Sequence, residues 1–404
     1  MADTLCREEH SSMTETVDIV IIGGGVMGAS IAYHLAKQGG SKVVLLERQA
    51  IGNGTTGRSG AIVRQHYSNE FSVRMAKESL AVFQHFDDVI GGDCGFTTTG
   101  MVVMVGEDGE DALRENVQMQ QEQGVNTRFI GADEVSQAAP GYSGEGVALA
   151  CYEPETGVAD PIATTFCFAQ RARDLGAHIR EGVTVTRILT QDRHIVGVET
   201  SQGDVQAPIV VIAANVWSGA LVRPLGMILP IKPTRHPMIA LRRPNDFGGR
   251  QGLHAVGLDL TREIYLRPDI GGITLIGSSE NVFKPSDPDN YAQGLTEPEI
   301  AHFRTRAGGT IPALARAVPR GGWAGIYDDT PDFHPILDRL PAYEELYCAA
   351  GFSGHGFKLS PSVGQMMAQL ILTGTKPVDM RHFAFDRFEM GREIRPRYSS
   401  GVLG

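Results

Sequence analysis

The chain has 404 residues, 42% of them hydrophobic and 21% charged, with 47 Asp and Glu against 36 Lys and Arg for a net charge of −11. That length exceeds one ordinary core and points to two domains. The acidic balance argues against nucleic acid or an acidic membrane surface as partner, and no apolar run nears the roughly 20 residues of a membrane span.

Residues 1–15 are polar and include Glu8 and Glu9, unlike a signal or transit peptide, and read as a disordered leader. Residues 17–22, VDIVII, are nearly all apolar and β-branched, the pattern of a strand buried on both faces. Gly23, Gly25 and Gly28 follow as G-x-G-x-x-G, with Val26 and Met27 between them. A helix with Ala29, Ala32, Leu35 and Ala36 on one side then runs to Gly39, and a second apolar strand, 43–46, ends in Glu47. This is a strand–turn–helix–strand unit for binding a dinucleotide. Glycines let a pyrophosphate approach the helix N-terminus, and an acidic residue about 20 positions on accepts from a ribose hydroxyl. The fingerprint does not choose between FAD and NAD. The next stretch, 48–67, is rich in glycine and poor in apolar residues, with Arg48, Thr55, Thr56, Arg58, Ser59, Gly60 and Arg64. It suits backbone wrapped around a large ligand more than a core element.

Residues 97–105, 125–130 and 228–283 show strand-like alternation broken by Gly and Pro, the pattern of a separate, mostly antiparallel sheet. Residues 176–218 read as short strands with turns at TQDRH and SQGD. Their last apolar run, 209–214, has the composition of a buried strand and is expected to join the nucleotide-binding sheet. The five cysteines, Cys6, Cys94, Cys151, Cys167 and Cys348, are scattered and lack a C-x-x-C pair, which argues against a disulfide framework or metal site and fits a cytoplasmic protein.

Near the end, AGFSGHGFKLSP (350–361) mixes Gly351, Gly354 and Gly356 with Phe352, Phe357, Ser353, His355 and Lys358. Val363, Met366, Met367, Leu370 and Ile371 then mark a helix with one buried face, beginning near Pro361 and stopped by Gly374. Lys358 therefore sits where the helix dipole disfavours a cation. A buried lysine there needs an anion, either a carboxylate on a ligand or charge developing on a cofactor. Arg64, nearly 300 residues earlier, is equally hard to place in a core alone, and one shared anionic ligand would satisfy both.

Together these motifs identify the chain as similar to the D-amino-acid-oxidase-like flavoprotein superfamily, and within it to the sarcosine oxidase branch. The fingerprint with Glu47, TTGRSGAIVRQHY (55–67), VVIAANVWSGAL (210–221), YLRPDIGG (265–272), YDDTPDFHPIL (327–337) and AGFSGHGFK (350–358) appear in family order across nearly the whole chain. The resemblance implies an α/β, Rossmann-type FAD-binding domain from 16–92, 151–226 and 324–390. A second, mostly antiparallel β-sheet substrate domain (α+β) would come from 93–150 and 227–323, with a tail at 391–404. Cofactor contacts are implied at the fingerprint and loop residues above, and at Val185, Ala213, Ala214, Trp217, Gly325, Gly351, Ser353, Gly354, Gly356, Phe357 and Lys358. Trp217 has the size of a core residue as well. Arg64 and Lys358 are implied to bind a substrate carboxylate, Tyr265 and Tyr327 to flank the substrate, and His355 to lie beside the flavin.

The departures are informative. Where relatives attach flavin through a cysteine this chain has Gly325, its early loop lacks the histidine that others use, and Ala159 stands where a second flavin is linked. FAD is therefore expected to be noncovalent. A lysine that promotes reaction with oxygen aligns with Leu275. The implied function is oxidation of a small amino acid, preferably a secondary amine such as an N-methyl or cyclic imino acid, by hydride transfer to flavin N5 and hydrolysis of the imine. Dehydrogenase is favoured over oxidase, with a quinone or a partner protein as electron acceptor. The alternatives are a 2-hydroxy-acid or polyol dehydrogenase on the same fold, and a non-catalytic FAD-containing assembly subunit. Exact substrate and oligomeric state are not written in these motifs.

Overall fold

Each residue of the strands Ile19–Ile22 and Val43–Leu46 is buried, and the two faces explain why. Successive side chains of a strand point to opposite sides. Ile19 and Ile21 join Val43 and Leu45 in one core with the helix Val26–Gln38, whereas Val20 and Ile22 join Val44 and Leu46 in a second core with Ile188 and Val198. A strand covered on both sides has no polar face to give, which is what the uninterrupted apolar runs encode.

A computed structural model describes residues 15–247, 252–280, 285–395 and 397–398. The expected leader lies outside the described residues except for Glu15, as do Cys6 and much of the expected tail. The first sheet has six strands in the order His178–Arg180, Val43–Leu46, Ile19–Ile22, Ile209–Ile212, Leu346–Ala350, Ile336–Arg339. All neighbours are parallel except the last pair. The run at 209–212 does enter this sheet, between the first strand and Leu346–Ala350. The helices Val26–Gln38, Pro161–Asp174 and Ser360–Thr373 pack together on one face. A four-stranded sheet containing Val185–Gln191 and His194–Thr200 covers the other.

The second large sheet has eight strands: Val318–Asp329, Lys232–Arg242, Ile273–Ser278, Ile264–Asp269, Val256–Asp259, Met101–Val105, Leu149–Glu153 and Arg128–Ile130. It is antiparallel except where Val256–Asp259 runs beside Met101–Val105. Leu149–Glu153 and Val318–Asp329 run straight across positions 150 and 324, where the sequence placed domain boundaries. The long strand Val318–Asp329 thus begins at the edge of the second sheet and delivers Tyr327 and Asp328 to the first. One face of the second sheet is sealed by the helix Glu297–Thr310 through Phe303 and Ala307; the other carries Met101, Val256 and Leu258.

The helix expected near the end is Ser360–Thr373, stopped by Gly374 in the left-handed region at φ 67°. Lys358 lies in the 3-10 turn Phe357–Leu359 immediately before it. The preceding TPD turn is held from below. Arg387 Nε meets Asp332 Oδ2 at 2.8 Å and its Nη2 meets Oδ1 at 2.9 Å, with both side chains 2% exposed. Nη2 also donates to the His334 carbonyl at 2.7 Å. The bidentate fit and the extra carbonyl offset the desolvation of both ions. Arg387→Ala leaves the buried carboxylate without its counter-ion, held by the His334 and Ile394 N–H groups and the Thr330 hydroxyl, and is expected to cost about 3–5 kcal/mol in urea unfolding. A loss below about 1 kcal/mol, the figure for an exposed pair, would show that Asp332 does not depend on it.

Candidate active site

The strands Ile19–Ile22, Ile209–Ile212 and Leu346–Ala350 all end on the same edge of the first sheet. A cleft begins there, where parallel α/β sheets place their ligands. Three cavities share walls along it. The first is lined by Gly23, Gly25, Glu47, Arg48, Val183, Val185, Ala213, Ala214 and Trp217, among others. It shares Gly25, Thr55, Thr56, Ala213 and Asn215 with a second, which adds Val26, Met27, Asp328 and Phe352. That one shares Ser59, Tyr327, Gly354 and Phe357 with a third, closed by Arg64, His355 and Lys358.

At the first end Glu47 accepts the Gly24 and Gln49 N–H groups at 2.6 and 2.8 Å, which fixes its carboxylate at the rim. The Arg48 guanidinium lies 3.9 Å over the Trp217 ring, and both side chains reach Asp289, at 3.1 and 2.9 Å. Trp217 is thus a wall of the cleft and not the core residue its size suggested. In the middle the helix Val26–Gln38 starts with Gly25, which has no side chain to cap it; the Val26 N–H meets the Thr56 hydroxyl at 3.2 Å, and the rest of the positive end faces the cleft. Asn215, at φ 50°, lines the same space, and its Oδ1 is buried without a partner among the described residues. An orphaned buried acceptor of this kind calls for a ligand donor such as a sugar hydroxyl.

The far end collects cations. Arg64 and Lys358 are each 6% exposed. Arg64 donates to the His66 carbonyl, and its guanidinium lies 4.5 Å over the Tyr67 ring; Lys358 Nζ lies 5.8 Å from the same ring and donates to the His355 carbonyl at 3.2 Å. Burial, then the charge of Arg64, holds the Lys358 ammonium well below the usual lysine range. His355 Nε2 lies 2.6 Å from the Phe333 carbonyl oxygen, so it carries the proton, and Nδ1 is left to accept from the Tyr67 hydroxyl at 3.3 Å. Burial, with Lys358 next, depresses His355 and keeps it neutral. Burial pushes the Tyr67 phenol up to about 12 against the pull of Arg64. Tyr265 and Tyr327 both line the cavity, and burial raises both phenols. His236 stacks behind Tyr327 with ring centroids 3.6 Å apart. Gly354, at φ 84°, lies beneath that ring, where a Cβ would strike Tyr327. Ala61, Ile62, Met101, Val256 and Leu258 form the apolar remainder.

Residues 18–370 match the family described as "FAD dependent oxidoreductase". The chain belongs to that family. It is 30% identical over 394 residues to a 4-methylaminobutanoate oxidase (formaldehyde-forming) of Paenarthrobacter nicotinovorans, covering 96% of this chain and 47% of the relative. It is 26% identical over 391 residues to sarcosine oxidase subunit beta of Rhodobacter capsulatus, covering 95% and 92%. The chain thus spans about half the length of the first of these and nearly all of the second. Among solved structures, L-proline dehydrogenase from P.horikoshii superposes with a TM-score of 0.86 at 31% identity, covering 95% of this chain and 100% of that one. FAD is the cofactor of an FAD dependent oxidoreductase. A long cleft with an acidic rim, a helix N-terminus at its middle and a further cavity beyond fits its adenosine, pyrophosphate and ring in that order.

Most residues singled out from the sequence line this FAD-oxidoreductase cleft, but five do not. Gly28 packs the helix on the turn, where a Cβ would strike the Gly23 carbonyl. Gly325 lies against the Arg58 stem, and Arg58 itself turns to Asn53, Gly54 and Gln293 at the outer rim. Gly351 and Ser353 do not line it themselves; their N–H groups are taken by Asp328, which does, at 2.6 and 3.2 Å. Asp328, Tyr67, His236 and Asp289 went unnoticed in the sequence; Asp328 and Tyr67 stand inside the quoted motifs, while nothing local marks the other two. Burial lifts the Asp328 carboxyl to about 7. From the unfolded carboxyl value near 4 up to about 7, the native state keeps a proton that the unfolded chain has lost. The contribution of Asp328 to stability is therefore greatest below that window and falls as pH rises through it. The melting temperature of Asp328→Asn relative to the parent is expected to climb across pH 4 to 7; a difference flat in pH would refute the assignment.

Proposed function

We propose that this protein oxidises a small amino acid, preferably a secondary amine such as an N-methyl or cyclic imino acid, with FAD held noncovalently. The observation that carries this reading is the pair of buried cations, Arg64 and Lys358, at the end of a dinucleotide cleft in a cavity lined by no aspartate or glutamate among the described residues. Such a pocket takes a carboxylate, and its apolar wall takes carbon. The relatives named for 4-methylaminobutanoate and sarcosine, and the structural neighbour named for L-proline, support a secondary amine. Gly23, Gly25, Glu47 and Ala213 would hold the FAD, which would supply the two-electron oxidant for the hydride. Arg64 and Lys358 hold the carboxylate, Tyr265 and Tyr327 flank the substrate, and Met101, Val256 and Leu258 keep water from the reacting carbon. Neutral His355, tied to Phe333 and Tyr67, fixes the floor of the pocket and is not the base. The imine product leaves and hydrolyses in water. None of the described cysteines lines the cleft, and Gly325 offers no side chain, which supports noncovalent FAD.

An anaerobic screen of N-alkyl amino acids, primary amino acids and 2-hydroxy acids by flavin bleaching tests the reading. Bleaching by hydroxy acids alone, or by nothing, would overturn it. Arg64→Ala and Lys358→Ala are each expected to weaken a carboxylate ligand by about 2–5 kcal/mol, the range for breaking a desolvated charge pair, with FAD content unchanged. Normal affinity in both variants would place the substrate elsewhere.

The electron acceptor in this reading is a quinone or protein and not oxygen. Leu275 is a buried, uncharged residue on the strand Ile273–Ser278. Its cross-strand partner Arg267 is engaged with Asp269 at 2.8 Å and with the Gly60 carbonyl at 2.8 Å. A cation free to meet superoxide-like charge is what speeds reaction with oxygen. Stopped-flow mixing of substrate-reduced enzyme with aerated buffer is expected to show reoxidation far slower than turnover with an artificial acceptor. Reoxidation as fast as turnover, with stoichiometric peroxide, would make it an oxidase.

A further inference from the structure

A hydride leaves a carbon only when the adjacent nitrogen has a lone pair to share, yet amino acids arrive in neutral water as zwitterions whose nitrogen is protonated. The pocket must take that proton. The side chains lining it offer few candidates. No aspartate or glutamate is among them. Nε2 of His355 is held by the Phe333 carbonyl and its Nδ1 by the Tyr67 hydroxyl. Tyr265 and Tyr327 are driven further from ionisation by burial and present neutral phenols. Arg64 does not give up its charge in a protein.

Lys358 remains. Its Nζ is buried at the cavity, meets one backbone carbonyl at 3.2 Å, and shares the Tyr67 ring with the Arg64 guanidinium. Two like charges over one ring, in a cavity without an acidic side chain, are unfavourable, and the lysine is the one that can yield. We propose that Lys358 is the proton acceptor for the substrate: it waits as a neutral amine, takes the ammonium proton of an incoming zwitterionic amino acid at Nζ, and becomes the charged partner of that substrate's carboxylate. The N–H bond of the substrate ammonium breaks, an N–H bond forms on Nζ, and no electrons change hands. In an α-amino acid both groups are borne by one carbon, so the amine that reaches the carboxylate also reaches the ammonium. The proposal rests on the amine-oxidising reading above.

The surroundings support the neutral resting form. Burial first and Arg64 second disfavour the ammonium. From its own loop His355 faces it, and His334 meets the His355 ring edge-on with centroids 5.7 Å apart. Arg64 and Tyr67 face it from the segment after the strand Ile62–Val63, and Tyr265 and Tyr327 from the second sheet. On the helix Glu70–Gln84 the acidic groups are Glu70, which meets Arg74 at 3.4 Å, and Glu78, which is influenced by Asp379, Ser362 and Arg74 rather than by Lys358.

The test uses the FAD-loaded enzyme and an inert carboxylate without an amine, 2-furoate, read by the flavin spectrum. With indicator dye in weakly buffered solution at pH 8, 2-furoate binding is expected to draw up to one proton per site from solvent. Its Kd should rise about tenfold per pH unit once Lys358 is neutral in the free enzyme. Binding of a zwitterionic substrate under argon should exchange almost no net proton. In Lys358→Arg, which keeps the charge but does not titrate, proton uptake should vanish and the Kd should lose its pH dependence. Flavin reduction by zwitterionic substrate should then fall at neutral pH and recover as pH approaches that of the free amine. A pH-independent Kd and no proton uptake in the parent enzyme, or undiminished uptake in Lys358→Arg, would overturn the proposal even with amine oxidation intact. Uptake of the proton with no flavin reduction by any amine would overturn the amine-oxidising reading instead.

Discussion

One carboxyl group joins the two halves of the active site. Asp328 belongs to a strand of the substrate-side sheet, and it receives the N–H groups of Gly351 and Ser353 from the loop that leaves the FAD-side sheet. Tyr327 is its neighbour on one side of the junction, and Lys358 follows the braced loop on the other. The relative position of phenol and amine, and so the width of the substrate cavity, depends on this contact. Its burial is complete enough to lift the carboxyl toward neutrality, the cost of fixing two sheets through one carboxyl group and two N–H donors. Ser353 sits at φ 49° to make the turn, a conformation that a non-glycine residue adopts only under constraint.

What the sequence made legible was local or periodic. The fingerprint could be read because strand, turn, helix and acid lie within a few dozen residues, and each responds to a short-range rule. The strand ending at Ile212 could be assigned to the right sheet because only a doubly covered strand tolerates so unbroken an apolar run. Arg64 and Lys358 could be paired on charge logic, since each lacks a home in a core. The resemblance supplied the two tyrosines, whose strand context alone reads as ordinary half-burial.

What stayed hidden was direction and company. Gly28, Gly351 and Ser353 belong to the right motifs but face packing partners, and no spacing rule says which way a loop residue turns. Tyr67 lies three residues from Arg64, yet its role beneath both cations exists only once the segment before Ser360–Thr373 folds over it. His236 meets Tyr327 through a strand pairing some ninety positions apart in sequence, and Asp289 meets Trp217 by a similar reach. Residues 397 and 398 were read as tail, whereas the Tyr398 hydroxyl meets His66 Nε2 at 2.8 Å behind the substrate cavity. Such contacts are tertiary consequences, and nothing in their own neighbourhood of the sequence announces them.

The cleft draws its walls from the segments 22–27, 46–59, 183–186, 213–221, 326–328 and 349–357. No contiguous stretch contains it, because the central strand Ile209–Ile212 must be flanked by Ile19–Ile22 on one side and Leu346–Ala350 on the other. During synthesis the nucleotide fingerprint therefore emerges early and waits for a strand made hundreds of residues later. Until that strand docks, the apolar faces of the first two stand uncovered, a state prone to aggregation. Loop closure on this scale is slow, and a ligand that binds only the finished cleft draws the equilibrium toward it. FAD in this protein is consequently a late-arriving clasp on the folded chain as well as its redox group.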